Sequence, residues 1–397
     1  MTFFSQYDAQ LTTHEQELVQ RARDFCAGAF SSEVHDAHLR GEPFAREWIG
    51  KWAALGMFGL QSRVEDGGHG ASFLCKVRVA QEMARHGFAA AFCLNNLQGQ
   101  ATRISKQGSE EQRRAYLQPL MTGAMLSAPA MTEPGGGSDL GPLATTARRV
   151  DSGWSISGTK AWITNGCIVD AITLLARVEE DGALATFFVP LGDGATARRR
   201  EIVMPGARSF RLAEIELRDH RVPDSALMSQ PGEALRAAME GVNAARVHVA
   251  AMAVASLHAA LCEATRYCAN RQAFGKPLLA HQGLQWELAE VSVRLEAANA
   301  LVLKAAQLVN ERLSAVIAAA QCKKFAVDTA IWGIDQCIRA MGATGASGTH
   351  RLGQQLAEVR LAAFGDGTNE MMLDRIGRGL AKDYADAVGY DERGQQP

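Results

Sequence analysis

The sequence predicts an α+β protein built in three parts: a helical region, a compact antiparallel β-domain, and a closing four-helix bundle of long helices. Three observations carry this. Apolar residues recur at three- and four-residue steps through roughly residues 11–125. Near residue 127 the pattern changes to glycine turns, β-branched residues and alternation, lasting to about 230. After Pro231-Gly232 the chain returns to alanine-rich stretches with few breakers. A length of 397 residues exceeds what one core usually holds. The expected division is 1–126, 127–232 and 233–388, with 389–397 as a frayed tail.

In the first part, Leu11-Thr12-Thr13-His14-Glu15 offers a capping-box start, followed by Leu18, Ala22, Phe25, Cys26 and Phe30 on one face. Gly59 and Gly67-Gly68 interrupt with loops, and helical spacing resumes over Val77–His86 and Ser109–Leu120. In the middle, Trp154–Gly158, Ile172–Ala176, Ala185–Val189 and Leu212–Leu217 read as strands. Asp151-Ser152-Gly153 and Glu180-Asp181-Gly182 read as hairpin turns. In the last part, Glu233–Arg271, Gln285–Glu311, Ala315–Met341 and Thr368–Tyr384 read as helices, mostly far longer than the usual ~11–12 residues. Helices of that length bury their apolar faces by packing antiparallel in a bundle.

Net charge is −2, with both signs interspersed, which argues against nucleic acid or an anionic membrane as partner. The first residues lack the basic start and apolar core of a secretory signal, and a cytoplasmic location is expected. No uncharged apolar stretch suggests a membrane span. Cys26, Cys75, Cys93, Cys167, Cys262, Cys268, Cys322 and Cys337 form no C-x-x-C pair. They read as reduced thiols acting as small hydrophobes, and no metal site is expected.

Four segments could carry chemistry. In Met131-Thr132-Glu133-Pro134-Gly135-Gly136-Gly137-Ser138-Asp139, the glycines let backbone N–H groups approach a ligand, and Thr132 and Ser138 add hydroxyls. It is neither a Rossmann fingerprint nor a P-loop, and by itself could be a decorated loop. Lys160-Ala161-Trp162-Ile163-Thr164-Asn165 offers a stacking face beside a hydroxyl, or else a tryptophan covering the β-domain core. Arg271-Gln272-Ala273-Phe274-Gly275-Lys276-Pro277-Leu278, with His281-Gln282, presents a planar cation suited to a pyrophosphate, or a solvated surface arginine. Phe364-Gly365-Asp366-Gly367-Thr368-Asn369-Glu370 opens the last helix; its acid is a helix cap or a catalytic carboxylate.

Taken in this order on this frame, the four segments resemble the acyl-CoA dehydrogenase family over nearly the whole chain, to about Tyr384. Thr132-Glu133-Pro134-Gly135-x-Gly137-Ser138-Asp139 is similar to its T-E-P-G-x-G-S-D signature, and Trp162-Ile163-Thr164-Asn165 to its W-I-T-N. Arg271-x-x-Phe274-Gly275-Lys276-Pro277-Leu278 with His281-Gln282, and Gly367-Thr368-Asn369-Glu370, are similar to its later motifs. The resemblance implies FAD between the β-domain and the bundle, and a homotetramer. It implies that Thr132, Gly137, Ser138, Trp162, Ile163 and Thr164 meet the flavin and phosphate chain. Arg271, Phe274, Gln282 and Gly342 would meet FAD at a subunit boundary, and Thr368 and Glu370 its adenosine side. Asn243, Arg246, Ser138 and Gly367 would contact the acyl-CoA substrate.

The implied reaction removes an α-proton to a base and a β-hydride to flavin N5. A donor near Asp366 would polarise the thioester carbonyl. Asp366 is the expected base, where the family usually has Tyr-Glu-Gly-Thr; the aspartate is one methylene shorter, roughly 1.5 Å of reach. A bulkier or alicyclic acyl group nearer the backbone would suit that change. The alternative base position of some relatives is Ala245 here, which cannot serve. Arg339 replaces a usual glutamine and receives no role. Around the acyl group, Leu94, Asn95 and Asn96 are the expected lining. An electron-transfer flavoprotein is the expected acceptor. The rival readings are a nitroalkane-oxidase-like flavin oxidase and a dehydrogenase of a carrier-protein-bound acyl group.

Overall fold

The computed structural model describes residues 3–192, 194–229, 232–381 and 384. The expected tail, 389–397, lies outside the described residues. Helix α1 (Thr13–Phe25) opens on a true capping box: Thr12 accepts from the Glu15 N–H, and Glu15 reaches back to the Thr12 N–H at 2.9 Å. Helices α2 (Phe73–Ala84) and α3 (Phe88–Gln107) follow and bury most of their residues.

The middle part is one eight-stranded sheet: β1 (Ser127–Ala130), β2 (Thr146–Val150), β3 (Gly153–Ile163), β4 (Ala171–Val178), β5 (Leu184–Pro190), β6 (Ala197–Glu201), β7 (Ala213–Val222) and β8 (Leu227–Ser229). Its order is β6-β7-β3-β2-β4-β5-β8, with β1 also beside β4. Both anticipated hairpins form, β2–β3 around Asp151 and β4–β5 around Asp181. The sheet is mostly but not wholly antiparallel, since β1 and β2 each run parallel to β4. A parallel pair needs a crossover instead of a turn, so no local signal announces it.

Helices α4 (Ala234–Asn270), α5 (Gln282–Asn310) and α6 (Val316–Met341) form the bundle, with α7 (Leu352–Arg360) and α8 (Asn369–Leu380) packed on α6. Within α4, residues 241–270 have the length and apolarity of a membrane span, although Arg246, Glu263 and Arg266 keep the segment from being an uncharged one. That segment is the central core helix: its most apolar stretch is 72% buried, and α4 packs against α2, α5 and α6. The eight cysteines are all free, and six of them are buried.

Candidate active site

The glycine-rich segment and the end of β3 are held as one unit by a buried ion pair. Lys160 Nζ donates to Glu133 Oε1 at 2.8 Å, and the amides of Ala144 and Thr145 donate to the same carboxylate at 2.7 and 3.0 Å. Burial alone would raise the Glu133 carboxyl, but the bonds from Lys160, Thr145 and Ala144 outweigh it and hold it at about 2. Burial likewise lowers the Lys160 ammonium against the opposing pull of Glu133. The Ala161 N–H then donates to the Thr132 carbonyl at 2.9 Å, laying the loop beside the strand. Gly137 turns back over Thr132: a Cβ there would lie 3.0 Å from Thr132 Cγ2.

One residue further, the β3–β7 register slips between Lys160 and Ile163. At this bulge Trp162 takes a left-handed φ of 60° and turns its ring outward, 54% exposed, so it does not cover the β-domain core. A strained, outward-facing tryptophan is an observation that asks for a partner surface. Ile163, by contrast, is buried in the core, so its side chain offers nothing to a cofactor and its contribution there is limited to backbone. Asn165, at φ 62°, is fully buried and donates to the Cys93 carbonyl at 3.0 Å, docking this edge on α3. On α3 itself, Leu94 is in the core and Asn95 is spent on the Ala91 carbonyl at 2.8 Å. Asn96 is half-buried, and its Oδ1 accepts from Asn165 Nδ2 at 3.5 Å.

The second pole gathers around Asp366. Thr368, not the acid, caps α8, its hydroxyl accepting from the Met371 N–H at 3.3 Å. Asp366 is left free of that duty and sits at φ 54°. Its own carbonyl accepts from Arg246 Nε at 2.9 Å, while Arg246 Nη1 donates to Asn243 Oδ1 at 2.9 Å. The next carbonyl, that of Gly367, accepts from Lys323 Nζ. Gly367 is itself tightly placed, since a Cβ there would come within 3.2 Å of Arg246 Nη2 and of Met372 Cε. Two buried cations from α4 and α6 therefore fix the backbone on which the carboxylate stands.

Burial raises the Asp366 carboxyl above the ordinary aspartate range, with Lys323, Arg246 and Lys76 opposing that rise. Burial pushes the Lys323 and Lys76 ammonium groups down to about 8, Asp366 opposing in both cases. His248, on α4 just past Arg246, is held neutral well below the usual imidazole value by burial and by Lys76. Sequence reasoning quoted Glu133 and Lys160 within its motifs without giving them a role, and missed Lys323, Lys76 and His248. The available signal was a charged or polar residue inside an otherwise apolar helix, as in Arg246-Val247-His248-Val249.

Most of the remaining expected residues lie on the surface of the single chain. Arg271 is exposed just past α4, beside a small hairpin formed by β9 (Gln272–Ala273) and β10 (Lys276–Pro277). Phe274 sits at its tip, left-handed at φ 51° and 97% exposed. Gln282, at the start of α5, and Gly342, at the end of α6, are exposed, as are Ser138 and Glu370. Arg339 bonds along its own helix, donating to Gln336 at 3.1 Å. Ala245 is half-buried beside Arg246.

A flavin suits the first pole. Trp162 offers an exposed flat face, and the loop at Gly135 has open space where a Cβ would stand. The hydroxyls of Thr132, Ser138 and Thr164 have no hydrogen-bond partner among the described residues. Residues 12–124, 128–220 and 232–381 match the family descriptions acyl-CoA dehydrogenase N-terminal, middle and C-terminal domain. The chain is 29% identical over 384 residues to human mitochondrial short-chain specific acyl-CoA dehydrogenase, covering 94% of this chain and 92% of that one. It is 32% identical over 332 residues to benzylmalonyl-CoA dehydrogenase of Aromatoleum aromaticum, covering 83% and 88%. The solved structure of a glutaryl-CoA dehydrogenase from Mycobacterium smegmatis in complex with FADH2 superposes with a TM-score of 0.87 at 25% identity, covering 94% and 96%. With three family domains matched in order on this α–β–α frame, the chain belongs to the acyl-CoA dehydrogenase family, oxidoreductases that use FAD to act on a CH–CH bond of acyl-CoA.

Proposed function

We propose that this enzyme dehydrogenates a compact alicyclic or branched acyl-CoA thioester, with Asp366 as the base that takes the α-proton. The observation that carries this is a carboxylate whose acidity is weakened by burial, standing on a backbone fixed by Arg246 and Lys323. A base of that kind is better matched to a weak carbon acid than a solvated aspartate would be. FAD, bound against Trp162 and the Thr132–Ser138 loop, supplies the hydride acceptor. Thr132, Ser138 and Thr164 offer hydroxyls to it, while Asn243, Arg246 and Gly367 border the thioester.

The short side chain draws the reacting carbon about 1.5 Å nearer the backbone than a glutamate would. That favours an acyl group broad at its α- and β-carbons. The relatives' names speak of short-chain, benzylmalonyl and glutaryl thioesters, which share the CoA ester and differ in the acyl group. Selectivity is therefore read from this chain's own residues. Arg271, Phe274, Gln282, Gly342, Thr368 and Glu370 complete the FAD site in a cytoplasmic homotetramer, which would explain a bare phenylalanine at 274. Electrons would leave to an electron-transfer flavoprotein.

The test is anaerobic mixing of the FAD-loaded enzyme with a panel of straight, branched and alicyclic thioesters while flavin absorbance is followed. Bleaching by the broad thioesters ahead of straight ones, and slow reoxidation by oxygen against fast reoxidation by the flavoprotein, are expected. Bleaching by nitroalkanes with rapid oxygen turnover, or no bleaching by any thioester, would overturn the reading.

A further inference from the structure

Around the base, the cationic and polar side chains divide into those already engaged and those left over. Arg246 is spent on the Asp366 carbonyl and Asn243, and Lys323 on the Gly367 carbonyl. Asn165 is spent on Cys93. Two groups remain. His248 is 7% exposed, and its Nε2 has no hydrogen-bond partner. Lys76, half-buried on α2, has an ammonium that makes no hydrogen bond or ion pair among the described residues. Lys76 is close enough to His248 to disfavour charge on its ring, and close enough to Asp366 to stabilise its carboxylate.

A buried polar atom without a partner costs roughly 1–3 kcal/mol, so one that persists asks for an explanation. His248 Nε2 is one such atom, and the uncommitted Lys76 ammonium stands on a different helix packed against it, α2 against α4. His248 lies one helical turn, about 5.4 Å, beyond Ala244 on the same face of α4. The direction is away from Asn243, deeper along the helix. A straight hydrocarbon tail would leave both groups unsatisfied and desolvate them further.

We propose that Lys76 and His248 form a distal subsite for a carboxylate carried by the acyl group, making the substrate a dicarboxylyl-CoA thioester. A carboxylate has lone pairs enough to accept from both the ammonium and the imidazole Nε2–H, and its charge balances the lysine. The proposal rests on Asp366 being the base, because it places the second carboxylate at the far end of the acyl group whose α-carbon Asp366 meets.

The test compares thioesters matched in chain length and differing in terminal charge: succinyl-CoA against butyryl-CoA, and glutaryl-CoA against valeryl-CoA. Flavin bleaching by the FAD-loaded enzyme gives kcat/KM for each. The wild type should prefer the dicarboxylyl member of at least one pair by tenfold or more. Lys76→Met should reduce that ratio by about ten- to hundredfold, mainly through KM, and Lys76→Arg should restore most of it. His248→Leu should reduce it by a smaller factor. FAD content and melting temperature are measured alongside, and Lys76→Gln, which keeps the stem without the charge, decides if Lys76→Met does not fold. A neutral thioester preferred in both pairs, or a ratio unmoved by the charge-removing Lys76 substitution, would overturn the subsite and leave the base assignment standing. If no thioester in either pair or in the broader panel bleaches the flavin, both fall.

Discussion

Replacing Asp366 with asparagine isolates the charge of the base from everything else it does. Asparagine has nearly the same volume and tolerates the left-handed φ of 54° as well as aspartate does. The bond from Arg246 goes to the backbone carbonyl and survives the change. What disappears is the proton acceptor, whose removal costs about 10²–10⁴ in rate, equivalent to about 3–5 kcal/mol of barrier. The effect on folding has the opposite sign. Burial raises this carboxyl despite three nearby cations, so ionising it works against the folded state at neutral pH. Asp366→Asn should therefore melt at the wild-type temperature or slightly above. Anaerobic stopped-flow reduction of the flavin reads the first quantity, and a thermal melt with FAD content reads the second. In the wild type the reduction rate should also climb with pH as Asp366 loses its proton, through a value above the ordinary 3.8. That limb should be missing in the variant. Reduction of Asp366→Asn at the wild-type rate would refute the assignment, and a large fall in melting temperature would make the residue structural.

Two further outcomes follow from buried charge. Glu133→Ala strands Lys160 and the amides of Ala144 and Thr145, and should destabilise by about 3–5 kcal/mol in urea titration with loss of bound FAD; adding Lys160→Met should recover part of it. Wild-type FAD retention in Glu133→Ala would show that this clamp does not position the loop. Glu358 on α7 accepts from the Ala89 N–H at 2.9 Å, yet burial still lifts its carboxyl to about 7 from the ordinary 4.5. The folded state then holds a proton that the unfolded chain has released between those two values. Stability should fall by on the order of 3 kcal/mol as pH rises from 4.5 to 7. Glu358→Gln should flatten that slope, and an unchanged slope in paired denaturation curves at pH 5 and pH 8 would exclude Glu358 as its source.

The parts of the molecule that obey local rules were legible in the sequence. The Thr12–Glu15 capping box, the two hairpins and the long bundle helices each depend on residues a few positions apart. So did the four motifs, because each is contiguous. What was not legible is what the tertiary fold brings together. Glu133 and Lys160 are 27 residues apart, and their pairing depends on the loop lying back on β3. The parallel partners of β4 require crossovers. Lys76, His248 and Lys323 come from three helices that meet only after packing. Lys76 and His248 stand among apolar neighbours, as in Leu74-Cys75-Lys76-Val77, and that break in pattern was the one trace they left, whereas Lys323, near Gln321 and Lys324, left none. Trp162 left two readings open, stacking face or core cover, because a large aromatic on a strand is ordinarily core and the bulge that expels it has no signature of its own.

The aspartate itself follows from the backbone beneath it. A residue held at φ 54° carries a steric cost that aspartate and asparagine meet more easily than most side chains. With its carbonyl gripped by Arg246 and the next by Lys323, the position of the carboxylate is set by fixed main chain and two side-chain torsions. A glutamate would add a torsion and swing over a wider arc. The shorter base therefore exchanges reach for definition, and the acyl group must come to it. Such an arrangement works only if something holds the acyl group from the other end, since misplacement by an ångström costs about 10²-fold in rate. An apolar tail in a smooth pocket slides along its axis, whereas a charged end gripped by two donors does not. A short, rigid base at one end and unsatisfied donors at the other are thus two halves of one positional constraint, and the distance between them sets the length of acyl group that can react.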